Sequence, residues 1–129
     1  MVSTRWFRLR ATPTNAPLRS CKKPRATRRR AITTDYIIDE TATLLRARAL
    51  TRLLAEFFRL TQQSQALTTE WVTPDCFSAA RKFMLKHLDQ EFSFTDCVSF
   101  VVMKELRLTD ALATDSHFRI AGFNPLLAD

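Results

Sequence analysis

The chain has 129 residues, a net charge of +7, and 46% apolar and 26% charged side chains, which bounds it to one modest domain and excludes collagen-like and helical membrane classes. A single glycine, Gly122, excludes the P-loop and the dinucleotide fingerprint, both of which need several glycines to bring backbone N–H groups onto phosphates. The charge is divided unevenly: residues 1 to 30 hold ten Lys or Arg and no acid, whereas the other 99 hold ten bases and thirteen acids, a net −3.

Residues 1 to 30 read as a basic disordered leader, because Pro13, Pro17 and Pro24 interrupt a stretch with no periodic apolar face to offset the entropy of ordering. Such a leader can bind RNA phosphates by counterion release or serve only as a solubilising arm. Its Arg-rich, acid-free composition also fits an organellar transit peptide, although it shows no amphipathic helix, or translation in a wrong frame or from a wrong start. It has no secretory h-region. Cys21, Cys76 and Cys97 are odd in number and widely spaced, which points to reduced thiols and a cytoplasmic location. His87 and His117 stand alone and read as structural.

From Ala31 the pattern becomes that of a folded domain, residues 31–129. Thr33, Thr34 and Asp35 offer cap chemistry ahead of Ile37, Ile38, Leu44, Leu45 and Ala49, so a helix is expected from Asp35 to Ala49. A second helix is expected from Thr51 to Gln63, then a short strand from Ala66 to Val72 closed by Thr73 and Pro74. Pro74 suits the first position of a third helix reaching Leu88. Ser93 to Asp96 caps a fourth helix, apolar almost all round through Leu106 and therefore expected to be the most buried. A strand over Ala111 to Ala113, a helical turn through Phe118 and an extended piece around Phe123 complete the chain. Short strands between helices predict a parallel sheet covered on both faces.

Three acids sit where a purely structural pattern would not put them. At 100° per residue, Glu40 lies about 60° from Ile37 and about 40° from Leu44, on the core-facing stripe. Asp96 starts the row Asp96, Phe100, Met103 on the most apolar helix, and Asp115 closes a predicted strand, where open α/β sheets hold their ligands. Each also has a structural reading: Glu40 as a shallow solvated acid, Asp96 as a helix-dipole acid, Asp115 as an N-cap. Converging carboxylates suit a hard cation, Mg²⁺ or Mn²⁺, which activates water and neutralises a phosphodiester under attack.

The stretches TTDYIIDETATLL (Thr33 to Leu45), FSFTDCVSFVVMKELRL (Phe92 to Leu108) and ALATDSHFRIAGF (Ala111 to Phe123) closely resemble the PIN-domain ribonucleases, especially the VapC-type toxins of toxin–antitoxin pairs. WVTPDCFSAARKF (Trp71 to Phe83) resembles the family's middle strand-to-helix passage, so the likeness runs from about Ala31 to Leu127. It implies an α/β/α sandwich around a parallel sheet and a metal-dependent endoribonuclease of single-stranded RNA, with a cognate antitoxin and homodimerisation as partner expectations. By resemblance Glu40, Asp96 and Asp115 match metal-binding acids of the family, and Thr95 matches its supporting hydroxyl. The family's opening passage, an apolar strand ending in the first catalytic Asp, should precede Ala31 and is missing or replaced, for no Asp or Glu occurs from Met1 to Thr34. The expected activity is therefore impaired, and the alternative is a non-catalytic PIN-derived module that binds protein or RNA.

Overall fold

Thr34 ends strand β2 (Ala31–Thr34) in an extended conformation, and its hydroxyl accepts a hydrogen bond from the Ile37 N–H at 3.2 Å, so the strand passes directly into helix α1 (Asp35–Ala47). The computed structural model describes residues 30–114 and 116–127, together with the backbone of residues 6–8. After α1 come α2 (Thr51–Gln63), β3 (Leu67–Glu70), α3 (Pro74–Lys86), α4 (Phe94–Glu105), β4 (Asp110–Leu112), α5 (His117–Ile120) and β5 (Asn124–Pro125). β2 is an element the sequence does not announce: Thr33 and Thr34 read as cap chemistry for the helix that follows, and Ala31 and Ile32 carry no strand signal of their own.

Helix α1 stops two residues short of the expected Ala49 because Ala49 turns into the left-handed region at φ 55°. Its N–H donates to the Arg46 carbonyl at 3.1 Å, and the Leu50 N–H donates to Leu45 at 2.9 Å, which satisfies carbonyls the helix end would leave open. Arg107 does the same after α4, also at φ 55°. A chain with one glycine must place side-chain-bearing residues at both turns, at a steric cost. Ala49→Gly is therefore expected to raise the free energy of unfolding by about 0.5–1 kcal/mol, read as a higher urea midpoint at unchanged slope.

With β1 at Trp6–Arg8, the sheet has the order β3-β2-β1-β4-β5. β2 pairs parallel with β3, and β4 pairs parallel with β5. The central strand, β1 (Trp6–Arg8), runs antiparallel to both neighbours, with Phe7 opposite Ile32 and Ala111, and Trp6 opposite Leu112. The expected α/β fold with parallel strands is borne out, the two parallel pairs flanking an antiparallel centre. One expectation is corrected: residues 6–8, assigned to the disordered leader, form the middle of the sheet. The physical reason is that β2 and β4 both present backbone groups toward the gap between them, and an extended segment rich in aromatic residues can satisfy both ladders at once. The rest of the leader, residues 1–5 and 9–29, lies outside the described residues.

Helix α4 is the centre of the core, as its all-round apolarity predicts: every residue from Asp96 to Met103 is buried. Phe100, Phe92, Phe118, Ile32, Ile37 and Ala111 pack into the same cluster. Thr33 is also fully buried, and among the described residues its hydroxyl has no hydrogen-bond partner. No helix among the described residues is long and apolar enough to cross a membrane.

Candidate active site

Helix α1 leaves the carboxyl end of β2, the end at which open α/β sheets place their ligands. Asp35, its first residue, accepts a hydrogen bond from the Val72 N–H at 2.9 Å through Oδ1, which ties the helix start to the chain just beyond β3. Glu40 follows about one and a half turns later. It lines an open cavity of about 340 Å³ with Asp39, Thr43, Leu44 and Ala47 of α1 and with Thr95 of α4. Two of the residues singled out by sequence, Glu40 and Thr95, thus share one pocket.

Asp96 is placed differently. It is the third residue of α4, fully buried, and forms a reciprocal cap with Ser93: the Ser93 N–H donates to Asp96 Oδ2 at 3.0 Å, and the Asp96 N–H donates to Ser93 Oγ at 3.1 Å. The positive end of the helix dipole favours a carboxylate there. A second contact was invisible in the sequence. His117 Nδ1 lies 3.2 Å from Asp96 Oδ2, with the imidazole edge-on to the Phe92 ring at 5.6 Å. His117 was read as a lone structural histidine. Its position two residues after Asp115 was the only signal that could have linked it to the acids.

Asp115 lies outside the described residues, so the structure places Glu40, Thr95 and Asp96 of the four candidates. A further acid, Asp110, is buried at the start of β4 and accepts a hydrogen bond from Asn124 Nδ2 at 3.2 Å, a contact between adjacent strands. Among the described residues no group of three or more His, Cys, Asp or Glu gathers to hold a metal ion. The donors around the pocket are nevertheless all oxygen: the carboxylates of Asp39 and Glu40 and the Thr95 hydroxyl, with Asp96 next along α4. Oxygen-only donors fit a hard divalent cation such as Mg²⁺ or Mn²⁺ rather than a thiophilic metal. Burial raises the Cys97 thiol, and burial followed by the Glu105 and Asp35 charges raises Cys76, so both stay neutral and neither is an activated nucleophile.

The sequence is 35% identical over 94 residues to the 23S rRNA-specific endonuclease VapC20 of Mycobacterium tuberculosis, in both the CDC 1551 and the H37Rv strains. The match covers 71% of this chain and 70% of VapC20. The crystal structure of VapC20, a sarcin–ricin loop cleaving toxin, superposes with a TM-score of 0.67 at 33% identity, again over 71% of this chain and 70% of that one. No protein-family model matches the sequence.

Proposed function

The chain belongs to the VapC-type PIN-domain ribonucleases of toxin–antitoxin systems, and from that membership we propose that it is an endoribonuclease that depends on Mg²⁺ or Mn²⁺ and cuts single-stranded segments of structured RNA, 23S ribosomal RNA first among them. The observation that carries this reading is the pocket shared by Glu40 and Thr95 beside the start of the helix that holds Asp96. Glu40, Asp96 and Asp115 would hold the cation, and the Thr95 hydroxyl would support them by hydrogen bonding. When bound, the cation supplies positive charge against the scissile phosphate and acidifies a water. Asp39, exposed on the pocket rim, deepens the negative potential that draws the cation in. An antitoxin is the expected protein partner, with homodimerisation and a cytoplasmic location as further parts of the proposal.

Cleavage in this chain is expected to be slow. β1 occupies the place of the family's first strand but runs the opposite way, so Arg8, at its carboxyl end, pairs with Ala31 at the start of β2, far from the end where α1 begins. No acid from Met1 to Thr34 can stand in for the first Asp. The same observation favours a second reading, a non-catalytic module that keeps the family's protein- or RNA-binding surface.

The test is incubation of the full chain with a single-stranded RNA containing the sarcin–ricin loop sequence, with Mg²⁺, with chelator, and beside Asp96→Asn. Slow cleavage abolished by both chelator and Asp96→Asn is the expected outcome. RNA binding with no Asp96-dependent cleavage at any enzyme concentration would establish the module reading instead.

A further inference from the structure

A metal-binding carboxylate works only if it is held at one angle, and outer partners that fix it commonly matter by about 10–100-fold in metal affinity. Among the described contacts, two such donors meet on one oxygen of Asp96. The Ser93 N–H reaches Oδ2 from within the same helix turn, and His117 Nδ1 reaches it at 3.2 Å from α5, across 21 residues of sequence. A donor from another element, added to the Ser93 contact within the helix turn, restrains rotation of the carboxylate about its Cβ–Cγ bond. The Asp96 side chain is fully buried while that of His117 is 26% exposed, so the histidine closes over the carboxylate from the solvent side. The imidazole is itself immobilised, edge-on against Phe92, which packs edge-on to Phe100 at 5.1 Å in the middle of the core.

We propose that His117 is a positioning residue that donates its Nδ1–H to Asp96 Oδ2 and so sets the orientation in which Asp96 faces the cation. The proposal rests on the reading of Asp96 as a metal ligand given above. His117 is the first residue of α5, two positions after Asp115 in the sequence, so its contact ties the start of α5 to the start of α4. The chemistry needs the δ nitrogen: an asparagine amide nitrogen falls close to the place of Nδ1, whereas a glutamine amide reaches toward that of Nε2.

The experiment is a calorimetric titration of the full chain with Mn²⁺, without RNA, for the native protein and for His117→Asn, His117→Gln, His117→Leu and Asp96→Asn, with a urea unfolding curve of each in chelator. Mn²⁺ binding lost in Asp96→Asn, weakened about tenfold in His117→Gln and His117→Leu, and kept within about twofold in His117→Asn, at matching unfolding midpoints, is the expected result. Equal Mn²⁺ affinity in all three His117 variants and the native chain, with Asp96→Asn still defective, would overturn the role of His117 alone. Equal weakening in all three, asparagine included, would show a packing role and overturn it too. Mn²⁺ binding that does not depend on Asp96 would overturn the metal-ligand reading of Asp96 and, with it, this proposal.

Discussion

Replacing the segment before Ala31 with an apolar strand that runs parallel to β2, ends in Asp and returns through a helix is expected to raise chelator-sensitive cleavage of single-stranded RNA by at least about a hundredfold over the native chain. The argument is one of ligand number and position. Affinity for a hard cation grows with the count of fixed anionic oxygens, and phosphodiester cleavage needs that cation placed against both the scissile phosphate and the attacking water. The native β1 can supply neither, because its direction is reversed and its sequence has no acid. Loss of even an outer-sphere partner commonly costs about 10–100-fold, so an inner-sphere acid should reach the top of that range or exceed it. Both proteins are assayed on one RNA, with Asp96→Asn in the rebuilt chain as control. Full chelator-sensitive activity in the native chain would show that three acids suffice, and equal inactivity of both would favour the interaction module.

Phe100→Ala is expected to remove about 3–5 kcal/mol of stability, a large share of the roughly 5–15 kcal/mol typical of a domain. Phe100 is fully buried in α4, and its ring meets those of Phe118 at 5.0 Å, Phe92 at 5.1 Å, and Phe83 and Phe123 at 5.7 Å. Three of these contacts are edge-to-face, the arrangement that the aromatic quadrupole favours. The partners come from α3, from the approach to α4, from α5 and from the approach to β5, so no single element can move to fill the space. Urea unfolding followed by circular dichroism measures the loss. A change below about 1 kcal/mol would mean that the cluster collapses around the deletion and that the core is centred elsewhere.

Much of this fold can be read directly from local chemistry. Thr73 before Pro74, and Ser93 three residues before Asp96, mark the starts of α3 and α4 without any knowledge of the rest, because a cap is satisfied within one turn. Helices α1, α3 and α4 consequently begin where the sequence puts them. β2 and β1 were not legible for the opposite reason. A strand of three or four residues has no period to detect. β3 and β4, equally short, are bracketed by breakers such as Thr73 and Pro74, whereas β2 runs straight into α1 and β1 lies in a basic, proline-rich stretch. Their partners lie far along the chain: Ala31 pairs with Leu67, and Trp6 with Leu112. The site divides in the same way. Glu40 could be chosen because it interrupts an apolar helix face, whereas Thr95 was marked only by the resemblance to the family. His117 could not, because its partner is Asp96, and only folding brings α5 back against the start of α4.

The reciprocal cap at the start of α4 gives Asp96 two independent reasons to persist through evolution. Selection for a folded chain is enough to keep it, because losing a cap costs about 1 kcal/mol whether or not any RNA is cut. Among the described residues Glu40 has no such second hold; it lines an open pocket, and its use is whatever enters there. In a lineage that abandons cleavage the two acids should therefore decay at different speeds, with Glu40 drifting first and Asp96 last. A relative that retains both is accordingly under selection for the reaction, whereas one that retains Asp96 alone has kept only the fold.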